Sequence, residues 1–302
     1  MSEERAPSDD AAERGSSDKA GPESPHLDEG DRSLAAQHAA PRALVIHEIV
    51  REEGEDELRR RPAAMAFSGF AAGLSVGFSF LMLSILQSHL PAAPWRPLLD
   101  SVGYTVGFLI VVLGRQELFT ESTLTAVLPL LMRRDRATLM ALLRFWGVVL
   151  SCNLLGTLVF AALVTPTGLF SESIHRSMIE VGRGAVSEPF APTLLKAVLA
   201  GWLIALMIWL LPSARSARMF VILFLSYVVG VGRFSHVIAG SVEAAFLVFS
   251  GHGTIGEYLG RFFVPTLIGN TIGGVALVAL LNHAPLVPDL HPDGGKRDNG
   301  ER

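Results

Sequence analysis

The residue best placed to do chemistry is His236, in the run Gly232-Arg-Phe-Ser-His-Val237, because it lies deep in otherwise apolar sequence. An imidazole titrates near neutrality and can both give and take a hydrogen bond. A lone buried histidine is more often a structural residue, so its weight depends on its surroundings. A second interruption of apolar sequence, Gly114-Arg-Gln-Glu-Leu-Phe-Thr120, supplies a hydroxyl. Thr120 is the expected partner of His236 across a shared axis, and it also suits a helix N-cap. Both interruptions open with Gly-Arg. Arg115 and Arg233 either pair with the nearby acids Glu117 and Glu243 and hold their loops, or face the path of an anion. Adjacency assigns Arg115 to Glu117. Arg233, with Ser235 two residues on, is assigned to the pore. Lys196 opens an apolar run, where it either snorkels to the interface or raises the local anion concentration. Phe108, Leu118 and Phe119 are candidates for an apolar constriction that gates by desolvation, although such side chains in apolar segments mostly serve packing.

These groups need a scaffold at membrane depth, and the composition supplies one. Half of the 302 residues are hydrophobic, and the mean hydropathy is +0.40. Charge collects at the ends and in short loops. The net charge of −4 shows no basic face for nucleic acid. The one cysteine, Cys152, excludes a disulfide framework and a cysteine metal site. Nothing calls for a cofactor. The acidic, polar beginning is not a secretory signal.

About 20 apolar residues span a bilayer. Runs at 63–90, 145–170, 197–211 and 262–286 read as whole spans. Two others are cut: 101–114 resumes at 122–132, and 219–232 resumes from 237 with Glu243 inside. Charge at such depth usually faces a cavity or a partner. Gly114-Arg115 matches Gly232-Arg233, and Asn153-x-x-Gly156 matches Asn270-x-x-Gly273, at nearly one offset. Three spans per copy make the second copy inverted in the membrane. The expected fold is therefore an all-α membrane protein of six transmembrane helices in two inverted three-helix repeats, with spans two and five broken in aquaporin-like fashion. The resuming half-helices would aim their N–H groups at a midplane site for anions.

Around this domain, 62–286, the sequence places a disordered acidic tail over 1–45, an amphipathic lead-in helix over 46–61 and a polar tail over 287–302. Arg59, Arg60 and Arg61, then Arg133, Arg134 and Arg136, then Arg215 and Arg218 fall on one side if both termini are cytoplasmic, leaving loop 171–191 outside. Gly73, Gly77, Gly156, Gly273 and Gly274 would allow close helix contact in a homo-oligomer.

These motifs resemble the formate/nitrite transporter family. Glu-Leu-Phe-Thr at 117–120, Phe-x-His at 234–236, Lys196 with Trp202 and Trp209, and Ile-Gly-Asn-x-Ile-Gly-Gly at 268–274 carry the likeness, which covers roughly 63–284. The resemblance implies a pentameric channel of the bacterial inner membrane, embedded in lipid, for small monovalent anions of weak acids. It implies that Thr120 and His236 form the polar centre and that Leu118 and Phe119 form a cytoplasmic constriction. It also exposes departures. The family usually has a small residue at 115 and 233, an acid at 235, and Asn at 201 and 240. Rival readings are a facilitator for neutral solutes, which lacks its paired Asn-Pro-Ala motifs here, a membrane sensor or scaffold using the acidic tail, and an intramembrane hydrolase built on Ser235 or Ser241. The last would leave the repeat unexplained.

Overall fold

A computed structural model describes residues 24, 26–39, 41–166 and 168–286 of the chain. The described residues form helices and no strand. Most of the N-terminal tail and all of 287–302 lie outside them. Within the tail, Glu29–His38 forms α1, capped by Asp28, whose carboxylate accepts the Asp31 N–H at 2.7 Å. It belongs to a compact unit of its own, 1–42.

The second unit begins with α2, Ala43–Arg59. It is followed by α3 (Pro62–His89), α4 (Arg96–Leu113), α5 (Ser122–Thr125), α6 (Val127–Arg133), α7 (Arg136–Val164), α8 (Glu172–Val186), α9 (Phe190–Leu210), α10 (Arg218–Val231) and α11 (Ala239–Phe249). A last helix, α12, runs from Ile255 to Leu286 with π-type turns at Tyr258–Phe263 and Gly273–Leu280. Five helices are long and apolar enough to cross a membrane: α3, α4, α7, α9 and α12.

Several helices outrun the apolar runs that suggested them. α4 starts at Arg96, behind Pro97 in its first turn, so its 18 residues are long enough to cross. α7 starts at Arg136, where Asp135 caps the Thr138 N–H at 2.8 Å. α9 starts at Phe190, and α12 starts behind a Thr254–Glu257 capping box. The boundaries follow caps and prolines, while charged residues inside the helices find partners. Arg144 donates to the Leu58 carbonyl at 3.2 Å, and Lys196 to Glu188 at 2.6 Å. The segment 171–191, expected as a loop, holds α8, whose buried Met178 and Gly182 face α11.

Two helix crossings set the core. α3 meets α7 where a Cβ on Gly73 would overlap the Asn153 carbonyl group. α9 meets α12 where a Cβ on Gly201 would overlap that of Asn270. The glycines expected to serve an oligomer interface are used inside the chain. Gly77 faces the Phe160 ring, Gly156 the Phe70 carbonyl, Gly273 the Val198 carbonyl and Gly274 the Thr123 side chain.

Candidate functional site

Both breaks are built the same way. α4 ends with the Arg115 N–H on the Val112 carbonyl (3.3 Å) and the Gln116 N–H on Val111 (3.0 Å). α10 ends with Arg233 on Gly230 (3.0 Å) and Phe234 on Val229 (3.0 Å). This paired bonding is the Schellman motif, whose closing residue sits in the left-handed region and is usually glycine. Here it is arginine, with φ of 49° at Arg115 and 48° at Arg233. A side chain held there costs about 1–2 kcal/mol.

An asparagine then clamps each break. The Asn153 amide donates to the Gly69 carbonyl (2.7 Å) and the Glu117 carbonyl (2.9 Å), and its oxygen accepts the Phe119 N–H (2.9 Å). Asn270 donates to Ala197 (2.8 Å) and Ser235 (2.9 Å) and accepts from Val237 (2.8 Å). Both asparagines are fully buried. They satisfy backbone groups that the breaks would otherwise strand in an apolar interior. The sequence showed the matching Asn-x-x-Gly pairs without revealing this work.

The clamped breaks bring Thr120 and His236 together. Thr120 Oγ1 lies 2.7 Å from His236 Nε2, with Thr120 fully buried and His236 1% exposed. His236 Nδ1 accepts the Ala239 N–H at 3.1 Å. The Phe108 ring stands edge-on to His236, centroids 5.0 Å apart.

Two cavities flank this pair. One, of about 160 Å³, is lined by Tyr104, Glu180, Lys196, Arg233, Phe234, His236 and Glu243. The other, of about 480 Å³, lies under α2 and is lined by Val112, Arg115, Leu118 and Arg218, and by the acids Glu52, Glu53, Asp56, Glu57, Glu117 and Glu121. Tyr104 and Val112 are eight residues apart on α4, so the cavities sit roughly 12 Å apart along its axis. α10 runs the other way, from Arg218 in the second cavity to Val229 in the first.

The expected site residues divide accordingly. Leu118 lines the second cavity, while Phe108 lines neither cavity, sits between Tyr104 and Val112 on α4 and packs on His236. Phe119 lines neither, and instead packs edge-on against Trp146 at 5.7 Å. Its backbone is spent on the Asn153 clamp, and that turns the ring into the interior. Phe234, not foreseen as a constriction residue, faces the first cavity. Arg115 was expected to pair with Glu117, but Glu117 pairs with Arg60. The left-handed turn points Arg115 toward the second cavity, where it is exposed and makes no ion pair among the described residues. Arg233 is likewise exposed and unpaired in the first cavity, and Glu243 does not bridge to it. Lys196 lines the first cavity but is matched by Glu188.

The second cavity is closed on one side by α2. Arg60 reaches Glu117, Arg133 reaches Glu55, and the Thr125 hydroxyl donates to Glu57 at 2.6 Å. A Cβ on Gly54 would overlap the Thr125 carbonyl. The lead-in helix thus buries Val50 and Leu58 against the bundle. Burial, then the nearby Glu117, pushes the Glu57 carboxyl well above its usual range, and the Thr125 hydrogen bond only partly opposes them.

The formate/nitrite transporter family matches residues 44–284, from the first turn of α2 into the last turn of α12. The chain belongs to the formate/nitrite transporter family. The inner membrane protein YfdC of Escherichia coli strain K12 is 39% identical over 82% of this chain and 80% of that protein. The formate channel BtFdhC of Bacillus thuringiensis is 30% identical over 77% of this chain and 91% of that one. A solved pentameric formate channel with formate bound shares the fold with a TM-score of 0.65 at 19% identity, over 75% of this chain and 98% of that one. The departures from the formate/nitrite transporter pattern now have physical content. A small residue at 115 and 233 suits a left-handed turn. The asparagine usual at 240 would collide with the Phe262 ring, which a Cβ on Gly240 would already overlap.

Proposed function

We propose that this protein is a homopentameric channel for small monovalent anions of weak acids, built from six spans in two inverted three-helix repeats with both termini cytoplasmic. The observation that carries the reading is the meeting of Thr120 and His236 between two cavities, at the start of two clamped half-helices. The antiparallel courses of α4 and α10, the matched Schellman turns and the matched asparagine clamps support inversion. The basic clusters before α3, after α6 and before α10 support a cytoplasmic α2 side.

An anion entering the α8-side cavity meets the unpaired Arg233 and then the polar pair. Nδ1 of His236 accepts a backbone N–H, so its ring proton sits on Nε2 and is given to Thr120. The Thr120 hydroxyl hydrogen is then free for an anion. Beyond lie Phe108 and Leu118, an apolar step that a bare anion crosses only at a large desolvation cost.

Stopped-flow flux in proteoliposomes against formate, nitrite, acetate and lactate, with glycerol and water as neutral controls, tests the reading. Saturable anion flux that falls sharply in Thr120→Val supports it. Flux of glycerol or water alone overturns it.

A further inference from the structure

An anion that crosses Phe108 and Leu118 as the neutral acid needs a proton, and His236 is badly placed to give one. Protonating its ring would set an N–H against the Ala239 N–H that now donates to Nδ1. Losing the Nε2 proton would leave an imidazolate, and that proton is committed to Thr120. Both ring nitrogens are therefore occupied in holding the site.

Another acid shares the cavity. Glu243 lies seven residues after His236, on α11, half-buried, with no ion pair and no hydrogen bond among the described residues. The other charges around it are accounted for. Arg96 serves both Glu180 (2.8 Å) and Asp100 (3.9 Å). Lys196 is matched by Glu188, and the Tyr258 hydroxyl donates to Ser241 at 3.1 Å. Tyr104 on α4 also lines the cavity. His175 on α8 packs on Phe246 rather than on Glu243. α3 and α7, which also pack on α11, present no charged group to the cavity. Among the described residues, the Arg233 guanidinium and the Glu243 carboxyl, which attract one another, are left without an ion pair or hydrogen bond.

We propose that Glu243 is the proton donor to the permeating anion, with Arg233 holding the anion's charge beside it and His236 acting as a positioning residue for Thr120. The step is a proton transfer. The O–H bond of the Glu243 carboxylic acid breaks, an O–H bond forms on the anion, and the products are the Glu243 carboxylate and the neutral acid. The carboxylate regains a proton from hydronium entering through the open cavity. This rests on the anion-channel reading and adds the origin of the proton.

The test uses the full-length protein in proteoliposomes loaded with pyranine, with the membrane potential clamped, and formate as the probe. Wild type should carry about one proton inward with each formate. Glu243→Gln keeps the shape but has no proton to release. It should lose about tenfold or more of the proton-coupled flux and its dependence on external pH. Glu243→Asp should restore both. His236→Asn should slow flux but leave the ratio of protons to formate unchanged, which tests the proposal even if the Glu243 variants fold poorly. Unchanged proton coupling in Glu243→Gln, or loss of coupling with continued formate flux in His236→Asn, overturns it. Wild-type vesicles that move no weak-acid anion overturn the channel reading and this inference together.

Discussion

Replacing Arg233 with glycine separates the two roles an arginine could have in the break. If it clasped the loop, its loss would strand an acid and lower stability by several kcal/mol. The structure argues otherwise. Arg233 has no ion pair among the described residues, and its φ of 48° closes a Schellman turn that glycine closes without strain. Relief of about 1–2 kcal/mol, less the roughly 0.5–1 kcal/mol that glycine adds in unfolded freedom, predicts a variant about as stable or slightly more so. The anion should feel the change more. A unit charge about 4 Å from the anion is worth roughly 4 kcal/mol at an effective dielectric of about 20, and about 1 kcal/mol in bulk water. Arg233 is exposed to the cavity, so the lower end applies, and the half-saturating anion concentration should rise about five- to tenfold. Thermal melting of the purified oligomer and the concentration dependence of flux measure both quantities. An unchanged half-saturation with a collapsed melting temperature would refute the argument.

Asn153→Ala removes three hydrogen bonds and strands the Phe119 N–H and two carbonyls, so it should cost about 3–5 kcal/mol. Asn270→Ala should cost a similar amount, and denaturant unfolding of each checks both. Glu57 provides a pH test. Its folded carboxyl is raised above its unfolded value, so its contribution to docking α2 is full below the ordinary carboxylate range and fades as pH rises through the raised value. Hydrogen exchange should therefore show α2 better protected at about pH 5 than at about pH 8 in wild type. Glu57→Gln should reduce that difference, and equal protection of the wild-type helix at both pH values would count against this account.

Much of this was legible in the sequence because the bilayer imposes simple rules. Apolar runs marked the long helices, Gly-Arg marked both breaks, and the Asn-x-x-Gly pairs marked both clamps. Charge was the weaker guide. Runs were cut at Arg144 and Lys196, yet the helices pass through both, because each finds a partner. α8 was hidden because its mixed charges read as a loop, while its buried face is small. The Glu117 partner was misread because proximity in sequence is not proximity in space. Two residues away, Arg115 is turned off by its own left-handed backbone, and Arg60, 57 residues away, takes the carboxylate.

The arrangement also explains why the two halves share a scaffold but not a chemistry. The turns and clamps recur at an offset of 117 or 118 residues because both breaks must close a helix end and satisfy the same stranded groups. At the corresponding side-chain positions the halves diverge. Leu118 stands where His236 does, and Ile238 stands where Thr120 does. Each half thus contributes one polar and one apolar residue, and the polar ones meet across the axis at 2.7 Å. A symmetric pair of histidines would place two titrating rings in one dry space, where protonating the first disfavours protonating the second. A symmetric pair of leucines would leave the anion no donor. Asymmetry between otherwise equivalent positions gives one hydrogen-bonded pair beside one apolar step.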